Sequence, residues 1–196
     1  MFGSPDLRQA VVRLVHIIWR DELMILQKAP LLIRSAAQSD APTLCAWWND
    51  GAVMAHAGFP NGLGTTEEKI AASLSGDTDR ARRLIVELDG HPIGEMNYRF
   101  EGTSAEIGIK ICETAKQEQG YGRILLSMLI RALFSMGAEK IILDTNLKNT
   151  RAQHVYELVG FRKTGIQYDS WRSQTGELQS QVYYELLPAD FHDFSK

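Results

Sequence analysis

The stretch Gln117-Glu118-Gln119-Gly120-Tyr121-Gly122-Arg123-Ile124-Leu125-Leu126 constrains this chain most, because it has to turn a strand directly into a helix. Ahead of it, Ala105 to Cys112 alternates in the manner of a strand. Behind it, Leu125, Leu129 and Leu133 recur at the i, i+4, i+8 spacing, with Leu126, Ile130 and Phe134 beside them, which predicts a helix over 121–136. Gly120 and Gly122 let the backbone approach a ligand closely, and the first turn of a helix offers several unpaired N–H groups. A strand, a glycine turn and a helix start in this order form an anion site suited to a pyrophosphate.

Two common phosphate sites do not fit the residues. A phosphate loop of the ATPase kind needs Gly-Lys-Ser/Thr at its end, whereas Arg123 and Ile124 follow Gly122 here. A dinucleotide fingerprint needs a third glycine where Leu125 stands. The stretch instead resembles the Gln/Arg-x-x-Gly-x-Gly/Ala acyl-CoA signature of the GCN5-related N-acetyltransferases (GNAT). Further along, Asn149-Thr150-Arg151-Ala152-Gln153-His154-Val155-Tyr156-Glu157-Leu158-Val159-Gly160-Phe161 resembles that family's second hallmark, Asn-x-x-Ala/Ser-x-x-x-Tyr-x-x-x-Gly-Phe.

The rest of the chain reads as strands at 31–35, 84–88, 92–100, 105–112, 140–144, 161–168 and 179–187. Helices are expected from Asp40-Ala41-Pro42, with Asp40 as N-cap, from Thr65 or Thr66, over 121–136 and from Asn149. Asp89-Gly90 between two apolar runs predicts a hairpin. This order makes a mixed α/β layer, and the resemblance implies the GNAT acyl-CoA acyltransferase fold, a mixed central sheet of about seven strands with helices on both faces. Residues 24–196 read as one N-acetyltransferase domain. Residues 1–23 read as an extension, helical or preceding a true start at Met24, whose apolar face docks on the body or on a second subunit in a homodimer.

Bulk properties limit the partners. With 196 residues, 44% hydrophobic and 23% charged, the chain is an ordinary globular domain. A net charge of −3 gives no reason to expect nucleic acid or a membrane surface as partner. Val11 to Trp19, interrupted by Arg13 and His16, falls short of the roughly 20 residues a membrane span requires. Cys45 and Cys112 as the sole cysteines fit a reducing cytoplasm, with Cys112 a buried thiol. No His/Cys/Asp cluster has metal-ligand spacing, so no metal is expected.

The resemblance implies a chemistry, with acetyl-CoA as co-substrate and an amine, small molecule or peptide N-terminus, as acceptor. The CoA arm would pass between the strands at 105–112 and 139–145. Backbone amides from Ile109 to Ile111 would bind it and polarise the acetyl carbonyl. Gln117 opens the loop signature, and amides around Gln119, Gly120, Tyr121, Gly122 and Arg123 would hold the pyrophosphate. Asn149 would cap its helix and bond the CoA arm. Tyr156 matches the tyrosine that protonates the departing sulfur. Glu106, within an Ala-Glu-Ile-Gly strand like that of the ribosomal-protein N-terminal acetyltransferase branch, is the candidate base or an anchor for the substrate ammonium. Glu95, Glu113 and Asp144 are its rivals. His56, Trp47, Trp48 and Phe59 are candidates for the acceptor wall, as is the turn at Trp171-Arg172.

A different class of function is a CoA-binding sensor or scaffold that catalyses nothing. Tyr156 and Glu106, the proton donor and base the resemblance implies, argue for the enzyme.

Overall fold

The computed structural model describes residues 16–20 and 23–196. The expectations for the first fifteen residues lie outside the described residues. One mixed sheet of nine strands, in the order β1-β2-β3-β4-β5-β6-β7-β9-β8, organises the described residues. The strands are β1 (His16–Arg20), β2 (Leu23–Lys28), β3 (Leu31–Ser35), β4 (Ala81–Leu88), β5 (His91–Glu101), β6 (Ser104–Ile111), β7 (Lys140–Asn146), β8 (Arg162–Arg172) and β9 (Leu178–Leu186). Every neighbouring pair is antiparallel except β6 and β7.

The seven strands read from the sequence are all present. The hairpin β1–β2 adds two more, continuing the sheet outward from β3. Residues 16–20 are thus strand, where the sequence allowed a helix. Met24 and Leu26 are fully buried in the main core, so this part of the chain is integral to the sheet.

Among the described residues five helices cover the two faces: α1 (Ala41–Asn49), α2 (Gly51–Met54), α3 (Glu67–Leu74), α4 (Tyr121–Ser135) and α5 (Thr150–Val159). Strand β4 shows why both faces need cover. Leu84, Val86 and Leu88 point into the main core with α4 and α5, while Ile85 joins a second cluster with Leu44, Trp47, Ile70 and Leu74 of α1 and α3. A strand buried on both sides reads as a continuous apolar run, as Leu84-Ile85-Val86 does.

Local signals explain most boundaries. Asp89 and Gly90 both have positive φ, 52° and 77°, the geometry that lets a two-residue turn follow the twist of its strands. Thr66 Oγ1 accepts from the Lys69 amide at the start of α3, and Asn149 Oδ1 accepts from the Ala152 amide at the start of α5. Asp40 departs from its expected role. It precedes α1, but its carboxylate makes no cap to that helix and instead accepts from the Ala37 amide at 2.7 Å and from both Nη atoms of Arg34. Gly160, with φ 108°, ends α5, and a Cβ there would stand 1.9 Å from the Asp190 carbonyl oxygen. Only glycine fits that close approach. No helix among the described residues is long and apolar enough to cross a membrane.

Candidate active site

The site begins where β6 and β7 part. The two strands are in register only at Ser104–Lys140, Ala105–Ile141 and Glu106–Ile142. Beyond that point β6 stays paired with β5 as far as Ile111, and β7 stays paired with β9 as far as Asn146. Each strand therefore turns one bare edge toward a wedge-shaped opening. A cleft of about 910 Å³ occupies this opening and runs from the start of α4 to the turn after α2.

The α4 end is built for an anion. Gly120 precedes the helix with φ 79°, and Glu118 is also left-handed at φ 60°, so the loop curls under the helix N-terminus. The first amides of α4, at Tyr121, Gly122 and Arg123, have no preceding turn to bond with. A Cβ on Gly122 would meet only Val155 Cγ1, at 3.9 Å, so this glycine keeps the cleft side clear for a ligand. Gln117 and Gln119 hold the loop in shape: Gln117 Nε2 donates to the Ile111 carbonyl at 2.8 Å, and Gln119 Nε2 donates to the Ala115 carbonyl. Arg151 of α5, which the sequence reading passed over, ties the loop down by donating to Glu118 at 2.8 Å and Gln117 at 3.0 Å. Its place in the first turn of α5, two residues after the cap, was the available signal.

Ile109, Ile111, Gln117, Gln119, Gly120, Tyr121, Gly122, Arg123, Asn149 and Tyr156 all line this one cleft. Tyr156 lies on the inner face of α5, 6% exposed and edge-on to Phe161 and Tyr184. Burial, with help from the Asp144 carboxylate, pushes its hydroxyl up to about 12. The group therefore keeps its proton throughout neutral pH.

Glu106 lies elsewhere. It is half-exposed, paired with Arg99 at 2.7 Å, and outside the residues that line the cleft. The carboxylate that lines the cleft from β7 is Asp144. Ile141 and Leu143 are buried in the main core, so strand alternation turns Asp144 to the opposite face. Gln181 Nε2 donates to it at 2.8 Å. Burial raises its pKa and Glu106 adds to the rise, while the Gln181 bond partly opposes both. The other two rivals are engaged away from the cleft. Glu113 accepts from Trp47 Nε1. Glu95 accepts from Trp48 Nε1 and pairs with Arg83 and Lys110. Burial alone would raise Glu95, but Lys110 and Arg83 hold it below the usual carboxylate range, which makes it a poor base.

The far wall comes from α2 and β8. His56 and Trp171 line it, whereas Trp47, Trp48 and Phe59 do not. The Trp171 ring rests on Gly58, and Gln174 locks the two loops together by bonding to both Asn61 and Gly62. The Trp171 Nε1–H is buried with no hydrogen-bond partner, the sole such side-chain atom among the described residues. Cys112 is buried, and desolvation raises its thiol to about 12, so little of it is thiolate at neutral pH.

Known proteins share this fold. The acetyltransferase (GNAT) domain family matches residues 30–162. A [ribosomal protein bS18]-alanine N-acetyltransferase of Haemophilus ducreyi is 28% identical, over 46% of this chain and 72% of that protein. Spermidine N-acetyltransferase from Vibrio cholerae, solved with CoA and spermine, superposes with a TM-score of 0.72 at 22% identity, covering 83% of this chain and 98% of that one. A ribosomal-protein-alanine N-acetyltransferase from Brucella melitensis gives 0.68 at 23% identity, over 79% and 98%. The family match runs from β3 through α5, and the chain belongs to the GNAT acetyltransferase family.

Proposed function

We propose that this protein moves an acetyl group from acetyl-CoA directly to a primary amine, with both substrates bound together. One observation carries the reading. The glycine turn at the start of α4, the bare edges of β6 and β7, and the Asp144–Tyr156 pair open into a single cleft. Its residues fit the donor: unpaired helix amides suit a pyrophosphate, and a parted strand edge offers N–H groups to an amide-bearing arm.

Acetyl-CoA supplies a thioester carbonyl, which the amine nitrogen attacks while the C–S bond breaks. The protein supplies the rest. Asp144 takes the proton from the incoming ammonium and leaves a neutral nucleophile. Tyr156 gives its proton to the departing sulfur and takes one back from the newly acylated nitrogen, while Asp144 releases its proton to water. On pKa values alone the transfer to sulfur is uphill, because a thiol titrates near 8.5 and this tyrosine near 12. Positive charge on the attacking nitrogen, close to the hydroxyl, offsets the gap. The poorly ionised thiol of Cys112 favours direct transfer over an acyl-enzyme. Glu106 stands behind Asp144, raising its pKa.

The acceptor is the open part of the reading, since the relatives named above act on unlike amines. Thiol release from acetyl-CoA tests it, measured against peptides with free N-termini, lysine peptides, polyamines, aminoglycosides and amino acids. Acceptor-dependent release supports the enzyme and selects the acceptor class. Tight CoA binding without release on any of these would favour a sensor.

A further inference from the structure

The segment after β9 folds back along α4 and reaches the anion loop. Asp193 pairs with Arg131, and the His192 amide donates to the Val159 carbonyl at the end of α5. Ser127 Oγ then joins two parts of the chain. It accepts from the Phe194 amide at 3.0 Å and donates to the Arg123 carbonyl at 2.8 Å. The side chains meet as well, with the Arg123 guanidinium 5.2 Å from the centre of the Phe194 ring. The same guanidinium lies 3.5 Å from where a Cβ on Gly120 would be, folded against the loop.

Arg123 is otherwise exposed, and a free arginine loses much rotamer freedom when a ligand captures it. A cation resting on an aromatic face has given up part of that freedom beforehand. We infer that Phe194 is a positioning residue for the nucleotide end of the co-substrate, holding the Arg123 guanidinium beside the Gly120 turn where phosphate charge is to be neutralised. The inference rests on the acetyl-CoA reading above and assigns a part in it to a segment that neither family motif includes.

The test is Phe194→Leu in the full chain, with Phe194→Trp as the variant that keeps a π face. Calorimetric titration with CoA gives the affinity, and S-acetylpantetheine, which lacks the nucleotide, serves as the control donor. Phe194→Leu is expected to weaken CoA about three- to tenfold, the range of a cation–π contact of this kind. It should leave kcat/KM for S-acetylpantetheine within about twofold, and Phe194→Trp should rescue CoA affinity. In an Arg123→Gln background, Phe194→Leu should add almost nothing. Equal losses with both donors, no loss with CoA, or additive losses in the double variant would each overturn the inference. Failure of the unaltered protein to bind CoA at all would instead overturn the acetyl-CoA reading, and this inference with it.

Discussion

The carboxylate of Asp144 on β7 acts on the hydroxyl of Tyr156 on α5, raising its pKa beyond what burial alone does. Asp144 comes from a strand and Tyr156 from a helix, and both line the same cleft. In the proposed mechanism the protonated hydroxyl is the acid and the carboxylate of raised pKa is the base.

If that division holds, removing either member has a different signature. Tyr156→Phe should keep CoA affinity and lower kcat by about 10²-fold, the usual scale for losing a general acid. Asp144→Asn should lower kcat by a similar factor and also remove the acidic limb of the kcat–pH profile. Steady-state rates from pH 5 to 9, together with CoA titrations, distinguish the two. A Tyr156→Phe variant of undiminished turnover would return the tyrosine to the hydrophobic core.

Glu106 is expected to tune the site from behind. Asp144 must be ionised to accept a proton, and its pKa is raised in the fold, so activity should climb with pH through a value above the ordinary aspartate figure of about 3.9. Glu106 contributes to the rise as a like charge. Glu106→Gln should therefore move the acidic limb to lower pH and leave the plateau rate within about twofold. A collapse of the plateau would make Glu106 the base.

Gly58 and Trp171 give a handle on the acceptor wall. An added Cβ at Gly58, where φ is already 91°, would fall 2.2 Å from Trp171 Cζ3, so the indole has to move. Overpacking of this kind costs on the order of 1–3 kcal/mol, and Gly58→Ala should raise the acceptor KM about fivefold or more. The KM for acetyl-CoA should stay put, because the anion loop is at the other end of the cleft. Parallel movement of both constants would show that the wall is not specific to the acceptor.

Much of this was legible in the residues, and the exceptions have physical causes. Both glycine signals, the Asn149 cap and the Asp89-Gly90 hairpin are local, so sequence sufficed. Strand alternation also turns Glu106 and Asp144 to the same sheet face. Which of them borders the cleft depends on where β6 and β7 separate, a property of tertiary pairing that no single strand encodes. Met24 and Leu26 alternate with Ile25 and Gln27 as a strand should, yet the strands expected from sequence begin only at residue 31, because so short a run is fixed as a strand by its pairing with β1 and β3. Residues 188–196 show no period at all, and their course along α4 is set by contacts such as Arg131–Asp193.

Asp40 provides a stability test that leaves the cleft untouched. Its carboxylate is nearly buried, takes both Nη atoms of Arg34, and accepts the Ala37 amide, so it ties β3 to the turn ahead of α1. Burial by itself would raise its pKa, but the Arg34 and Ala37 bonds more than compensate and the net shift is downward. The folded state thus binds the proton less readily than the unfolded chain, and the carboxylate contributes stability above the unfolded value of about 3.9. That contribution is lost as pH falls through the depressed folded value. Asp40→Asn keeps the shape but discards the charge, and should cost about 2 kcal/mol at pH 7, the range for hydrogen bonds to a charged group. Urea unfolding from pH 7 down to pH 3 measures both effects. The wild-type protein should lose stability more steeply with acid, and the gap between the two proteins should narrow at the lowest pH. A gap that stays constant across the range would mean that the charge of Asp40 contributes nothing and that its shape alone matters.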